Sequence, residues 1–128
     1  MNNKIFILLT MVFLHIIDDY KLQGILASMK QKKWWREQKE YKDLYKNDYL
    51  IALAMHSFSW TFMIMLPIAF SLNFNIGYWL LAYIANWRVH TFVDDLKANK
   101  FKINLITDQL IHLGQIIITW LAFVLLAK

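Results

Sequence analysis

The sequence predicts an all-α protein, a polytopic membrane four-helix bundle that forms a single domain over residues 1–128. Hydrophobic residues make up 59% of the chain and charged residues 18%, with only three Gly and one Pro. Most of the charges lie in short blocks between long apolar runs. Such runs, of about 20 residues, cross a hydrocarbon layer of roughly 30 Å as helices. The chain has no Cys, which excludes a zinc finger, a thiol enzyme and a disulfide scaffold.

Four apolar segments are long enough to be membrane spans. The first begins with Lys4 and an apolar run, like a signal peptide, but Asp18, Asp19 and Lys21 stand where a cleavage site would be expected. We therefore predict that it is an uncleaved helix. Pro67 is expected to kink the second helix or to help end it. The predicted helices cover about 4–28, 48–71, 76–96 and 103–127.

The basic residues predict an orientation. Seven Lys and Arg fall between residues 30 and 46 and three between 97 and 102, whereas the turn 71–77 has none. The positive-inside bias places both basic loops in the cytoplasm. We therefore predict a multi-pass protein of the cytoplasmic (inner) membrane with both termini outside. Because the bases do not line a soluble face, the net charge of +5 does not indicate a nucleic-acid partner.

The loop between the first two helices contains the segment 34–49, which mixes bases with Trp and Tyr. This composition predicts an amphipathic cytoplasmic helix that lies on the lipid headgroups. A surface for a partner protein is the alternative, and the role of residues 30–46 stays open. Membrane lipids are the expected partners, with a second copy of the chain or a host membrane protein as further candidates.

Polar residues inside the apolar spans point to a site. A carboxylate near the bilayer centre costs roughly 2.5–3.5 kcal/mol, so several together need a compensating partner. Spacings of four residues place these side chains on one face of each helix. At 1.5 Å per residue, they come to a similar depth on the side of the basic loops. The residues are His15, Asp19 and Gln23, then His56, then His90 and Asp94, then Asp108 and His112.

Clustered imidazoles and carboxylates in an apolar bundle have several uses. They suit Zn²⁺ and other divalent ions, and helical bundles hold one or two such ions in their cores. A b-type haem would leave the carboxylates without a counter-charge. A proton or ion path and a purely structural polar network remain alternatives. We favour one or two divalent metal ions, with Zn²⁺ as the first candidate.

A family resemblance rests on four fragments in order: HIIDDYKLQ, AMH, HTFVDDLK and DQLIH. The chain resembles the family catalogued as domain of unknown function 3307, small membrane proteins of bacteria and phages. It is also similar, more distantly, to membrane-bound metal-dependent hydrolases with repeated H-x-x-x-D helices. That likeness implies hydrolysis of a phosphoester, such as a phospholipid or lipid-linked phosphate reached from the cytoplasmic leaflet. The long basic insert after the first helix departs from the family pattern.

The resemblance and the spacing together suggest residue roles. The predicted metal ligands are His15, Asp19, His56, His90, Asp94, Asp108 and His112. The predicted catalytic residues are Asp19, Asp94 and Asp108, one of which could bridge two ions. Gln23, Gln109, Lys97 and Arg88 are predicted to support the ligands or to contact substrate. Asp18 and Asp95 point about 100° away from the neighbouring aspartates and are predicted to be interfacial ion-pair partners.

A rival function from another class is a non-enzymatic bacterial or phage membrane effector, or an ion-conducting helical bundle. The sequence contains no Gly-rich phosphate loop and no G-x-S-x-G motif. Nucleotide-loop and serine-hydrolase mechanisms therefore have no support.

Overall fold

The computed structural model describes residues 3–38, 43–72 and 74–126, and these residues are all-helical, as predicted. Residues 39–42 of the predicted basic segment and residue 127 of the fourth predicted helix lie outside the described residues. The helices are α1 (Asn3–Ile17), a π-helical segment (Asp18–Leu22), α2 (Leu26–Met29), α3 (Lys32–Arg36), α4 (Asp48–Ser71), α5 (Ile76–Ala98) and α6 (Leu105–Leu126).

The other three longer helices, α1, α5 and α6, pack around α4. This helix contacts α1 and α5 extensively and α6 more sparsely, while α6 also packs against α1 and α5. The short helices α2 and α3 contact α4 at the end of the bundle that carries residues 23–38, 43–47 and 99–104. We call this end the loop end. Pro67 lies inside α4, which continues to Ser71 and so does not end at the proline.

The first predicted helix, 4–28, is interrupted rather than continuous. After α1 the backbone widens into the π-helical segment and then breaks at Gly24, whose φ of +50° lies in the left-handed region. Glycine adopts this conformation without the steric penalty that a Cβ would bring. The break allows α2 and α3 to turn back over the loop end.

Replacement of Gly24 by Ala is expected to destabilise the fold by about 1–2 kcal/mol, because an L-residue is strained in the left-handed region. No other atom lies within 4 Å of the added Cβ, so strain is the only cost. Gly114→Ala is the matched control, since its Cβ also meets open space but its backbone is helical. That change should be neutral or stabilising by up to about 1 kcal/mol. Denaturant unfolding in detergent measures both; equal effects would contradict the prediction.

The predicted amphipathic helix over 34–49 is not one helix among the described residues. α3 ends at Arg36, and turns precede α4. The indole of Trp35 donates to the backbone oxygen of Met29 at 2.6 Å, which folds this segment back on α2. Trp34 and Trp35 pack edge to face, with ring centroids 4.7 Å apart.

Polar and apolar side chains are separated in the interior of the bundle, and many large apolar side chains lie on its surface. One half of the interior is an apolar cluster that includes Met11, Ile64, Ile68 and Phe123. The half towards the loop end buries His, Asp and Lys side chains. Many large apolar side chains are exposed along the longer helices. Two helices, α4 and α6 over Leu105–Leu125, are long and apolar enough to cross a membrane.

Candidate metal centre

Histidine and aspartate side chains from all four longer helical stretches converge at the loop end of the bundle. The seven predicted ligands lie here and are almost completely inaccessible. The first stretch, formed by α1 and the π-helical segment, supplies one histidine and one aspartate. Helix α4 supplies a single histidine, and α5 and α6 each supply one histidine and one aspartate. These residues are His15 and Asp19, His56, His90 and Asp94, and Asp108 and His112.

One group of donor atoms surrounds Nε2 of His56. This atom lies 3.2 Å from Nε2 of His90 and 3.3 Å from Oδ1 of Asp19. Oδ2 of Asp94 is also 3.3 Å away. Asp19, His56 and His90 each offer a ligand atom within 4.8 Å of the other two, so these groups could hold a metal ion.

A second group surrounds Nε2 of His112. This atom lies 3.3 Å from Oδ1 of Asp94 and 3.4 Å from Oδ1 of Asp108. His90, Asp94 and His112 again offer ligand atoms within 4.8 Å of one another. The two groups share His90, and Asp94 directs one oxygen towards each of them.

These separations can be compared with the geometry of a zinc site. Ligand atoms about 2.0–2.1 Å from Zn²⁺ in a tetrahedral arrangement lie about 3.3 Å from one another. The distances around Nε2 of His56 and Nε2 of His112 are 3.2–3.4 Å. The distances from these two nitrogens therefore agree with the spacing in a tetrahedral site, and the other ligand atoms of each convergent group lie within 4.8 Å of one another.

The charge of the cluster also suits a cation. Four carboxylates are buried here, and two ammonium groups pair with them: Lys30 with Asp94 at 2.6 Å and Lys97 with Asp108 at 2.5 Å. With neutral histidines, two negative charges remain in the interior, where an unpaired charge is costly. A divalent ion, or protonation of two of the histidines, would neutralise them. The buried carboxylates are Asp18, Asp19, Asp94 and Asp108.

His112 is oriented as a metal ligand. The amide nitrogen of Gln115 lies 3.3 Å from two oxygens of Asn86, so its Oε1 faces Nδ1 of His112 at 3.1 Å. Nδ1 of His112 therefore donates to Gln115, and Nε2 faces the carboxylates of Asp94 and Asp108, where it can donate a proton to them or, when unprotonated, bind a metal ion. Ligating histidines in proteins are commonly fixed by such a bond from the second ring nitrogen.

His15 differs from the other predicted ligands. The indole N–H of Trp60, which can only donate, bonds to Nδ1 of His15 at 2.7 Å. Nε2 then carries the proton of the neutral ring and donates to Oε1 of Gln109 at 3.1 Å. Both nitrogens are thus engaged, and His15 belongs to neither convergent group. Its position indicates a supporting role, in which it orients Gln109.

The predicted supporting residues divide into two sets. Gln109 donates to Asp19 at 3.0 Å and to Asp108 at 3.1 Å, and Gln23 donates to the backbone oxygen of Asp19. Lys97 also contacts the cluster, through its ion pair with Asp108. Arg88, in contrast, is exposed on α5 and lines an outer groove between α4 and α5. The structure therefore places Arg88 away from the cluster.

Sequence reasoning missed three contributors. Lys30 reaches the interior from α2, although its position in a basic run indicated a solvated side chain. Asp18 was predicted at an interface but is buried, with Oδ1 accepting from Ser59 at 2.6 Å and Oδ2 lying 3.9 Å from Nδ1 of His56. Trp60 stacks on His90 with ring centroids 4.1 Å apart. Asp95, as predicted, forms an ion pair, with Lys100 at 2.9 Å.

The π-helical segment explains the position of Asp18. Adjacent residues of an α-helix point about 100° apart, which is the reason that Asp18 was predicted to face away from Asp19. In the wider π turn both side chains approach α4, and they contact opposite ring nitrogens of His56. Such turns within α-helices are frequent at functional sites.

Comparison with known proteins adds no relative: no family model, no curated protein and no solved structure matches this chain. The resemblance carried by the four sequence fragments therefore stays a prediction, and the function has to be inferred from the cluster itself.

Proposed function

We propose that the protein is a membrane-embedded, divalent-metal-binding hydrolase whose substrate is a phosphoester or a lipid-linked ester reached from the cytoplasmic leaflet. The observation that carries this proposal is the convergence of His and Asp donor atoms from four helical stretches. The distances of 3.2–3.4 Å from Nε2 of His56 and Nε2 of His112 to their neighbours agree with the spacing of tetrahedral zinc ligands.

The distribution of apolar surface supports a membrane location. Side chains such as Phe13, Ile51, Ile84 and Ile118 are more than half exposed, while the histidines are buried. Soluble monomers rarely expose contiguous apolar surface on this scale. α5, at 23 residues, is also long enough to span the hydrocarbon layer. Together with α4 and α6, and with α1 continued by its π turn, it would complete a four-span bundle in the inner membrane.

Each group of donor atoms could hold an ion; with neutral histidines, a second ion would bring the cluster and its two lysines to a net charge of +2, which an anionic substrate group could balance. Asp94 lies between the groups, with Oδ2 near His56 and Oδ1 near His112, as a bridging carboxylate would. Nitrogen and carboxylate ligands together favour zinc among the common divalent ions. Such ions supply Lewis acidity in phosphoester hydrolysis, and a pair about 3.5–4 Å apart can stabilise both the attacking and the leaving oxygen. Asp19, Asp94 and Asp108 would hold them.

The test begins with wild-type protein purified in detergent without chelator. Elemental analysis should find one or two equivalents of a divalent metal, and the loaded protein should hydrolyse at least one member of a panel of phosphomonoesters, phosphodiesters and phospholipids. Chelation should abolish turnover, and zinc should restore it. Protein that binds no divalent ion would refute the metal assignment; loaded protein that is inert on the whole panel would refute the hydrolase assignment.

An ion-conducting bundle is the second candidate, because buried polar contacts continue from the cluster towards the opposite end. Gln115 contacts His112 and Asn86, and Asn86 donates to Oγ1 of Thr119 at 2.8 Å. Amide groups relay protons poorly, so we favour the hydrolase. Zinc-independent ion flux into protein-containing liposomes, without esterase activity, would support this second candidate instead.

A further inference from the structure

We propose that Lys30 and Lys97 form an anion subsite that binds a phosphoryl group once metal occupies the carboxylates that these lysines now contact. The inference rests on the metal-binding part of the proposed function, and it names the chemistry of the substrate group. Each ammonium group contacts a carboxylate, Lys30 that of Asp94 and Lys97 that of Asp108; metal bound to these carboxylates would free the ammonium groups to pair with an anion.

Lys30 is directed inwards by the backbone around it. The side-chain amide of Asn99 donates to the backbone oxygen of Lys30 at 3.0 Å, and its oxygen accepts from the backbone N–H of Lys32 at 2.7 Å. This two-sided contact fixes the segment between α2 and α3 against the end of α5. Lys30 is 6% exposed, although lysine is almost never fully buried unless it is paired. The backbone contacts with Asn99 therefore hold the Lys30 side chain in the interior at the loop end.

Lys97 reaches the cluster from the end of α5. Its Nζ lies 2.5 Å from Oδ2 of Asp108, and its side chain retains 26% exposure. The two lysines thus contact the cluster at two different carboxylates, both from the loop end. The two contacts share a neighbour, because Oδ1 of Asp94 and Oδ1 of Asp108 lie 3.3 and 3.4 Å from Nε2 of His112.

Lys30 competes with a metal ion for one oxygen. Oδ2 of Asp94 is 2.6 Å from Nζ of Lys30 and also 3.3 Å from Nε2 of His56, within the first group of donor atoms. A dication on this oxygen would repel the adjacent ammonium group and remove its partner. The same reasoning applies to Lys97 beside Asp108. Two buried or half-buried cations without partners favour an anionic ligand, because unpaired charge is costly there.

The ligand that fits is a tetrahedral oxyanion with at least one negative charge, because its several oxygens can accept from ammonium groups and also bind a metal ion. Phosphate in a lipid headgroup and phosphate free in the cytoplasm share this chemistry. Ammonium groups are common phosphate binders in proteins, where they act as point charges.

The experiment measures inorganic phosphate binding by calorimetry to protein in detergent, with and without zinc. Phosphate should bind only to the zinc-loaded protein. Lys30→Gln and Lys97→Gln should each weaken phosphate binding by about tenfold, the loss of one charge-assisted contact, while zinc content stays the same. Glutamine keeps a donor for the neighbouring aspartate, and the circular dichroism spectrum checks that each variant folds. Lys33→Gln is the matched control, because Lys33 is 80% exposed.

The outcomes separate the two proposals. Protein that binds no zinc contradicts the metal centre and the subsite together. Zinc-loaded protein whose phosphate affinity is unchanged by both glutamine variants, or equals that of the metal-free protein, overturns the subsite alone.

A second arm compares vesicles of phosphatidylcholine with vesicles that also contain phosphatidic acid. Competition of phosphatidic acid vesicles with free phosphate would identify the lipid headgroup as the source of the anion; its absence would identify soluble phosphate.

Discussion

Asp94→Asn is expected to weaken zinc binding by about 100-fold or more and to abolish any metal-dependent hydrolysis. Loss of a residue that only orients a ligand costs about 10–100-fold, and Asp94 contributes an oxygen to each group of donor atoms. The asparagine has nearly the same shape and can still accept a bond from Lys30, so the fold should persist. Isothermal titration calorimetry and elemental analysis measure the change.

Asp95→Asn is the matched control for this substitution. Asp95 is the next residue along α5, but it contacts Lys100 and Asn99 at the surface rather than the histidines. Its replacement should leave zinc content and affinity unchanged. If the Asp94 and Asp95 variants bound zinc equally well, the cluster would not be the metal site.

Saturating zinc is expected to stabilise the folded protein strongly. A ligand that binds only the folded state adds about 4 kcal/mol to the free energy of unfolding at a thousand times its dissociation constant. Here an ion in the first group would connect the π-helical segment, α4 and α5 through Asp19, His56 and His90, and an ion in the second would connect α5 and α6 through Asp94 and His112. Thermal unfolding in detergent, followed by circular dichroism, should show a higher midpoint with zinc than with chelator.

The thermal unfolding experiment has an internal control. The zinc-dependent stabilisation should fall to about a third or less in Asp94→Asn and persist in full in Asp95→Asn. A rise that is equal in both variants would mean that zinc stabilises the protein by binding elsewhere, such as at surface carboxylates.

Spacing along the chain was sufficient to predict that the polar side chains would meet. Residues four apart share a helical face, so His90 with Asp94 and Asp108 with His112 had to point the same way. Equal depths in antiparallel helices then brought the faces together. This reasoning needs only regular helices, and α4, α5 and α6 are regular through the cluster.

Some side-chain positions in the cluster could not be predicted, because they depend on irregular backbone or on individual side-chain contacts. Lys30 lies beyond the break at Gly24, and Asp94 lies on a different helix. Helical periodicity therefore gives no relation between these two residues. The burial of Asp18 depends on a π turn, for which the sequence gives no recognisable signal. His15 has ligand spacing, and only the indole of Trp60 reveals that its nitrogen is already engaged.

The π turn at Asp18–Leu22 makes this stretch more sensitive to length than to composition. A π turn contains one residue more than the α-helical turn that it replaces, so removing one residue would return the turn to α-helical winding with little rotation of α1. Asp18 and Asp19 would then point about 100° apart, and one of the two carboxylates would lose its contact with His56. Insertions and deletions in these five residues should therefore be tolerated far less well than exchanges of Tyr20 or Leu22, whose side chains face outward.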